Sequence, residues 1–440
     1  MLPSPVRAIL RRLNENGHDA YAVGGCVRDQ LLCRAPADWD IATSARPEQV
    51  MELFAGHCIP TGLQHGTVTV RQEHQSFEVT TFRADGNYSD HRHPDAVQFS
   101  DDLREDLARR DFTIGAMAMD DSGSITDLYG GQEDLRRRVI RCVGEADRRF
   151  DEDALRIMRA LRFASVLDFT VEPETAAAIR RGREQLRHIA AERIRAEMDQ
   201  LLCGVAAERV LLEFPEVIGV FLPEMLGTVG LDQRNPHHCF DVWEHTARAV
   251  SSVPPVPLLR WTMLFHDLGK SVCFTVDAQG TGHFYGHGKI SCRMAAEAMR
   301  RLKFEGAARE RITLLVDWHD RDIPRTRKSL RRALHALGEE ALWQLLEVKR
   351  ADNLAQAPEY RGVQEEIDRA AEIVRELLAE DACFSLKQLA VNGRDMMALG
   401  LTGAAVGAML DHLLHLVLDE QLPNERSALL SWVQGKIKSR

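Results

Sequence analysis

The sequence predicts an α+β protein, with a small mixed sheet in its first third and helices from there to the C-terminus. Three observations predict it. Short apolar runs at 21–23, 67–71 and 76–83 are bounded by Gly and polar residues and carry the spacing of strands, with a helical segment at 47–54 among them. After residue 140 the spacing turns helical and stays so. Nowhere does an apolar run reach the length needed to cross a bilayer.

At 440 residues and 45% hydrophobic, the chain can hold several cores, and length alone suggests roughly three domains. A net charge of −10 excludes uniform attraction to nucleic acid, so an RNA partner would have to meet local basic surface. Arginines gather at 180, 181, 183, 187, 193 and 195 and again between 325 and 332, although a solvated helix face is the plainer reading of either run alone. Nine cysteines without a C-x-x-C pair suit reduced thiols and speak against a disulfide framework or a thiolate zinc site. With no signal peptide visible, the expectation is a soluble cytoplasmic protein.

In chain order, Ser4-Pro5 caps an amphipathic helix that carries Val6, Ile9, Leu10 and Leu13 and ends near Gly17. Residues 21–23 form a strand, Gly24-Gly25 a turn that tolerates positive φ, and Val27-Arg28-Asp29 opens a helix, so the turn offers N–H groups to phosphate. Asp38 and Asp40 stand two apart ahead of Ile41-Ala42, and a strand's period of two turns both carboxylates to one face, ready to clamp a divalent cation. The strands at 67–71 and 76–83 pair across a polar connection at 72–75. The second carries Glu78, which is either a third carboxylate beside the Asp pair or a Glu on an exposed edge strand.

Residues 85–100, rich in Gly, Asn, Ser, Asp and His, read as a mobile loop. Segment 109–118 follows, reading Arg-Arg-Asp-Phe-Thr-Ile-Gly-Ala-Met-Ala; if it is helical, Gly115 costs about 1 kcal/mol against Ala. A helix at 152–163 places Asp153, Arg156, Arg159 and Arg162 on one stripe at i, i+3 spacing, which in isolation is an ion-pair ladder of little worth. Ala-, Arg- and Glu-rich helices occupy 172–203, and Pro215 and Pro223 mark a boundary near residue 220. Residues 360–440 are mostly helical and end on the basic run 435–440.

Gly-Gly-x-Val-Arg-Asp at 24–29, followed by Asp-x-Asp at 38–40, resembles the first motif of the polymerase-beta-type nucleotidyltransferases and, more narrowly, of class II tRNA nucleotidyltransferases, the CCA-adding enzymes. Segment 109–118 is similar to their Arg-Arg-Asp-Phe-Thr-x-Asn-Ala motif, with Gly115 where the family has Asn; 152–162 matches their base-reading motif, and 192–198 resembles their helical neck. This resemblance, from about residue 21 to 198, implies that Asp38 and Asp40 hold two Mg²⁺ ions and that Glu78 completes the set. It further implies that Gly25, Arg28 and Arg110 grip the nucleotide, that Arg159 and Arg162 serve its pocket or RNA phosphate, and that 85–100 matches the flexible loop that switches addition from C to A. The amide missing at Gly115 removes hydrogen bonds that could orient the site.

The base-reading assignment has chemical sense of its own. Cytosine and adenine both present an exocyclic amine beside a ring-nitrogen acceptor, whereas uracil and guanine present a carbonyl beside an N–H. Asp153 can accept from the amine and Arg156 can donate to the ring nitrogen, so UTP and GTP meet mismatched groups.

From His237 onward the chain carries a different chemistry. Glu244-His245, Phe265-His266-Asp267-Leu268-Gly269-Lys270, Gly286-His287, His319-Asp320 and Ala351-Asp352 follow in order and resemble an HD phosphohydrolase domain. The resemblance implies that His245, His266, Asp267 and Asp352 form the core of a divalent metal site, with His287 and His319 able to hold a second ion. His and Asp ligands suit Ni²⁺, Mn²⁺, Fe²⁺ and other transition metals.

The expected organisation is a nucleotidyltransferase palm at 1–142, a helical neck for base recognition and RNA binding at 143–220, an HD-type helical domain at 221–360 and a helical tail at 361–440. The expected activity is addition of C, C and A to the tRNA acceptor end from CTP and ATP, with Mg²⁺ and without membrane association. A-adding, CC-adding and poly(A)-synthesising relatives share the first domain, and a protein that is mainly an HD phosphohydrolase is the competing reading.

Overall fold

The computed structural model describes residues 2–85, 97–380 and 382–438. The backbone forms two compact units, Met1–Leu226 with Arg301–Lys303, and Gly227–Arg300 with Phe304–Arg440.

The first unit opens with α1 (Ser4–Glu15), which buries Val6, Ile9, Leu10 and Leu13 along one face. Pro3 stands at its N-cap without a side-chain bond and Ser4 is its first residue, so the fixed φ of Pro5 starts this helix and Ser4 does not cap it. Next come β1 (Ala20–Val23), α2 (Gly25–Leu31), β2 (Asp40–Thr43), α3 (Pro47–Leu53), β3 (Cys58–Gly62), β4 (Thr67–Gln72) and β5 (Gln75–Thr81). The β4–β5 hairpin turns on Glu73 and His74, at φ 49° and 63°, the pair of left-handed residues that suits the twist of a two-residue hairpin loop.

The segment expected to be a loop at 85–100 is strand at its described ends, where β6 (Arg83–Asp85) and β7 (Val97–Phe99) pair antiparallel in a ribbon of their own. The rest of that expected loop, 86–96, lies outside the described residues. The unit continues through α4 (Leu103–Ala108), a 3-10 turn at Thr113–Gly115, β8 (Met117–Met119) and β9 (Ile125–Asp127). Seven strands form one sheet in the order β3-β4-β5-β2-β1-β8-β9, antiparallel throughout except for the parallel pair β2 and β5. β5 is therefore internal, and Glu78 does not sit on an edge. Val23, Ala42, Phe82, Leu107 and Ala118 pack together in one cluster of its core.

Helices follow as α5 (Gly131–Arg137), α6 (Ala146–Glu152), α7 (Leu155–Leu167), α8 (Pro173–Gly182), α9 (Ala191–Leu202), α10 (Ala207–Glu213) and α11 (Pro215–Ile218), with the short parallel pair β10 (Val139–Ile140) and β11 (Thr170–Val171) among them. The single helix expected at 152–163 is broken. α6 ends at Glu152 and α7 begins at Leu155, because Asp153 is extended, at φ −145° and ψ 103°, and its Oδ1 accepts the N–H of Leu155.

The second unit runs through α12 (Val242–Ser252), α13 (Pro257–Phe265), α14 (Lys270–Cys273), α15 (His287–Arg301), α16 (Gly306–His319), α17 (Arg327–Leu337), α18 (Glu339–Leu354) and α19 (Val363–Ala379), with Trp261 and Phe265 of α13 fully buried and Leu330, Leu342, Ile367 and Val374 forming a core among α17, α18 and α19. A two-stranded hairpin, β12 (Thr275–Val276) and β13 (Gly282–His283), precedes α15. The unit closes with α20 (Gly393–Ala398), α21 (Ala404–Leu418) and α22 (Arg426–Lys438), around Met396, Leu413, Leu418, Leu429 and Val433.

Both arginine runs are largely neutralised within their own units. Arg180 pairs with Glu216, Arg181 with Asp147 and Glu174, and Arg187 with Glu184. Arg325 pairs with Glu366, Arg327 with Glu376 and Glu380, Arg331 with Glu420 and Arg332 with Asp419. Each run thus carries surface ion pairs to acidic residues of its own unit. Among the described residues no helix is long and apolar enough to cross a membrane, and all nine cysteines are free thiols.

Candidate active site and a second ligand cluster

Register brings the first carboxylates together. In the parallel pair β2–β5, Asp40 stands opposite Glu78, although α3, β3 and β4 separate them in the chain. Asp38 is exposed in the loop ahead of β2 and not on the strand, because the ladder with β1 ends at the pair Val23–Asp40, where the chain of β1 turns away at Gly24. Its charge still reaches Asp40. Burial first, then the charges of Asp38 and Glu78, raise the Asp40 carboxyl above its ordinary range, and Arg110 opposes the rise. Acids crowded until ionisation becomes costly fit a divalent cation that would relieve the repulsion. A cavity of about 250 Å³ opens over Asp40 and Glu78, edged by Arg109 and Arg110.

Arg110 owes its place to three neighbours. Gly24, at φ +79°, leaves room for it, since a Cβ there would come within 2.7 Å of Arg110 Nη1. Asp106, only 1% exposed, accepts from Arg109 Nε (3.0 Å) and Nη2 (2.7 Å) and from Arg110 Nη2 (3.1 Å). Finally, Arg110 Nη1 donates to the backbone carbonyl of Gly115 at 3.3 Å. Residue 115 therefore makes this contact through its backbone, whatever its side chain. The N–H of Gly24 donates to Met117 O, so within the Gly-Gly turn the N–H left to face an anion is that of Gly25, the first residue of α2.

The base-reading residues are differently placed. Asp153 sits at the break between α6 and α7, with Arg193 Nη2 3.6 Å from its Oδ2. Arg156 is buried and held on several sides, donating through Nη1 to Glu152 Oε2 (2.7 Å) and Arg149 O and through Nη2 to Arg109 O. Arg159 donates from Nε to Asp111 Oδ2 at 2.6 Å, and Arg162 Nε lies 3.2 Å from Glu197 Oε2. Although burial works against its charge, Asp111 is held below the usual carboxylate range by Arg159. Arg28 pairs with Asp29 at 2.8 Å, and Arg28, Arg159 and Arg162 all stand over the ring of Phe163.

In the second unit, six side chains from five segments converge. His245 Nε2 lies 2.9 Å from Asp352 Oδ1 and 3.5 Å from Asp267 Oδ2, while His266 Nε2 lies 3.1 Å from the same Asp267 oxygen. The other oxygen of Asp267 faces His287 Nε2 at 3.3 Å and His319 Nε2 at 3.7 Å. Asp267 is thus common to two sets of three ligand atoms, one oxygen turned to each.

Each ring is oriented from behind by a backbone carbonyl. Nδ1 of His245 faces Ala355 O (3.2 Å), that of His266 Met263 O (2.6 Å), that of His287 Phe284 O (2.9 Å) and that of His319 Val316 O (2.6 Å). In the neutral tautomer that donates Nδ1–H to these carbonyls, every Nε2 presents its lone pair to the cluster centre, the arrangement that metal-binding histidines use. The donor set and its orientation fit divalent transition ions. Burial works against a charged His266, yet Asp267 and Asp352 push it up to about 10; burial likewise opposes Asp267, which His266 and Lys270 hold well below the carboxylate range. A cavity of about 330 Å³ lies over the cluster, with Lys270, His283 and Tyr285 in its wall.

Sequence reasoning passed over several residues that shape these sites. Asp106 precedes Arg109 and Arg110 by three and four residues, a helical ion-pair spacing that could have flagged it. Asp111 lies within the Arg-Arg-Asp-Phe-Thr segment, and Lys270 closes the His-Asp-Leu-Gly-Lys run with its Nζ 2.7 Å from Asp267 Oδ2. His238 packs edge-on against His245, and burial, with Lys270 and His245, lowers it to about 3; only the fold shows this neighbour.

Three family models match in order. The Poly A polymerase head domain matches 20–141, the "Probable RNA and SrmB- binding site of polymerase A" matches 168–224, and the second domain of tRNA nucleotidyltransferases matches 285–433. The chain is 36% identical over 435 residues to the CCA-adding enzyme of Geobacillus stearothermophilus, covering 98% of this chain and 96% of that one. It is also 36% identical over 435 residues to the CCA-adding enzyme of Levilactobacillus brevis, at 97% and 96% coverage. The crystal structure of the Bacillus stearothermophilus CCA-adding enzyme in complex with CTP superimposes with a TM-score of 0.76 at 34% identity, over 100% of this chain and 99% of that one.

Proposed function

This chain belongs to the family of CCA-adding enzymes, and from that premise we propose that it completes the tRNA 3′ end, adding C, C and A from CTP and ATP without a nucleic-acid template. The observation that carries the reading is the sheet register that sets Asp40 opposite Glu78 beneath a cavity edged by Arg110, with the charge of Asp38 felt at Asp40.

Asp38, Asp40 and Glu78 would hold two Mg²⁺ ions, which when bound lower the pKa of the RNA 3′-hydroxyl and neutralise charge on the triphosphate and the leaving pyrophosphate. The chain's own groups do the rest. Arg110, steadied by Asp106 and the Gly115 carbonyl, reaches the phosphate tail together with Gly25, Arg28, Arg159 and Arg162. Asp153, with Oδ1 fixed by Leu155 N–H, accepts from the exocyclic amine of C or A. Arg156, oriented by Glu152, donates to the ring nitrogen, so a base with the opposite polarity leaves both groups unpaired.

Incorporation of each labelled NTP into tRNA transcripts ending before, within and one residue short of CCA tests the reading. Two additions of C and then one of A are expected, with none from the Asp38→Ala/Asp40→Ala double variant. Retained incorporation in that variant would sink the assignment.

A second activity, metal-dependent hydrolysis of a phosphoester by the second unit, is favoured by one observation, the bridging position of Asp267 between two histidine pairs whose Nε2 atoms all turn inward. His245, His266, Asp267 and Asp352 would hold one divalent transition ion and His287 and His319 a second, supplying Lewis acidity to the phosphoester. Metal content by elemental analysis and phosphate release from p-nitrophenyl phosphate test it. Purified protein that takes up no Mn²⁺, Ni²⁺ or Fe²⁺ would refute it.

A further inference from the structure

Three guanidiniums of the first unit meet on one aromatic ring. The Cζ of Arg162 stands 4.3 Å from the ring centroid of Phe163, that of Arg28 5.1 Å and that of Arg159 5.5 Å. They arrive from two elements, Arg28 from the last turn of α2 and the other pair from α7. Phe163 is itself steadied by Phe112, fully buried and edge-on to it, with centroids 5.8 Å apart at 85°.

Cations this close repel one another, and their mutual presence is felt. Burial, then Arg159 and Arg28, make the charge of Arg162 harder to hold, while Glu197 supports it. Each guanidinium is tied through Nε to its own carboxylate, Arg28 to Asp29, Arg159 to Asp111 and Arg162 to Glu197. The three carboxylates stand on separate segments, Asp29 on α2, Asp111 between α4 and the 3-10 turn, and Glu197 on α9. What the three share is one ring, whose negative π-face attracts a guanidinium whatever its neighbours carry.

We propose that Phe163 is a positioning residue for nucleotide binding, gathering Arg28, Arg159 and Arg162 into one cluster that receives the triphosphate of CTP or ATP. The inference rests on the reading that these arginines grip the nucleotide, and it adds a residue that no motif assigned. The ligand is a free nucleoside triphosphate and not the RNA backbone, because the side chains of Arg28 and Arg162 are only 14% and 13% exposed, and Arg159, at 36%, is the one member of the cluster open to solvent. A polynucleotide tracks open surface, whereas a compact polyanion can enter a recess. Arg28 also lies just past the Gly-Gly turn, next in the chain to the strand that pairs with Asp40.

Phe163→Leu removes the aromatic face at similar bulk, while Phe163→Tyr and Phe163→Trp keep it. Steady-state incorporation of CTP and ATP into saturating tRNA transcript, with tRNA affinity by filter binding, reads the effect. The Leu variant should raise KM for both nucleotides about tenfold with little change in kcat or tRNA affinity, and Tyr and Trp should restore KM. A merely structural role would not follow aromaticity. Should the Leu variant fail to fold, Phe163→Met against Phe163→Tyr reads the same contrast. Equal nucleotide KM in the Leu, Tyr and native proteins would overturn the proposal, and so would loss of tRNA affinity at unchanged nucleotide KM. Arg159→Ala separates the two levels. If it raises KM while Phe163→Leu does not, only the role of the ring falls; if it too leaves KM unchanged, the reading of the arginines falls with it.

Discussion

Replacing Asp106 by Asn should weaken both the fold and the apparent affinity for Mg²⁺ in nucleotide transfer. The carboxylate is 1% exposed and receives two N–H groups of Arg109 and one of Arg110, whose side chains are themselves mostly buried. An amide of the same shape can accept from one guanidinium, but its NH₂ then faces the other, and two cations lose their counter-charge. Breaking a buried pair costs about 3–5 kcal/mol, and the residual exposure of the arginines favours the lower end. For a unit of this size, about 3 kcal/mol lowers the melting temperature by roughly 6–12 °C.

The functional half of the prediction concerns where Arg110 goes. Its side chain edges the cavity over Asp40 and Glu78 and already opposes the raised pKa of Asp40. Freed from Asp106, it is drawn to those carboxylates and competes with Mg²⁺, so half-saturation by Mg²⁺ should rise by about tenfold, a shift of about 1.4 kcal/mol. Calorimetry and a Mg²⁺ titration of CTP incorporation measure the two halves. A melting temperature within ~2 °C of native, together with an unchanged Mg²⁺ curve, would refute the reasoning.

Three further outcomes are expected. Gly115→Asn should be tolerated, since a Cβ there meets only Asp111 Oδ1 at 3.9 Å and φ is not positive; calorimetry should show a gain of about 0.4–1 kcal/mol, and a large change in kcat would mean the side chain enters the chemistry after all. Asp267→Asn should abolish transition-metal uptake, measured by elemental analysis, and leave CTP and ATP incorporation intact; loss of incorporation in soluble, folded protein would tie the two centres together. Asp111 gives a pH test. Its carboxyl is lowered by Arg159 against the effect of burial, so its contribution to stability is present above the unfolded value of about 3.9 and is lost as pH falls through the folded one. Denaturant melts from pH 6 downward should therefore show an acid-limb loss that is smaller in Asp111→Asn, and identical limbs would contradict the assignment.

Local chemistry was legible in the chain, and non-local chemistry was not. The Gly-Gly turn and the β4–β5 hairpin are each set within a few residues, and the sequence carries them plainly, whereas the strand expected to turn both Asp38 and Asp40 to one face begins only at Asp40. Glu78 was ambiguous because nothing in its own strand says that β2 will lie beside it in parallel. The stripe at 152–163 was drawn as one helix because i, i+3 spacing continues across Asp153, and the extended backbone there follows from an Asx-type bond to Leu155 that spacing does not encode. Both arginine runs left open whether they would meet RNA or solvent, and the acidic residues that answer them, such as Glu216 for Arg180 or Asp419 for Arg332, lie far away in sequence. The histidines of the second unit could be gathered by resemblance, but the four carbonyls that aim their rings belong to the fold alone.

The parallel register between β2 and β5 has a consequence for how the enzyme comes into being. Hairpins such as β4–β5 close quickly because their partners adjoin, whereas a parallel pair with a crossover must close a long loop before any contact rewards it. All three carboxylates have been synthesised once Glu78 is reached, yet β1 still waits for β8 to cover its other edge, at the pair Val23–Ala118. A growing or half-refolded chain thus owns all three carboxylates and cannot yet set Asp40 opposite Glu78 across a ladder. Recovery of nucleotide transfer during refolding is accordingly a late event, and it reports assembly of the whole sheet more faithfully than helix content does.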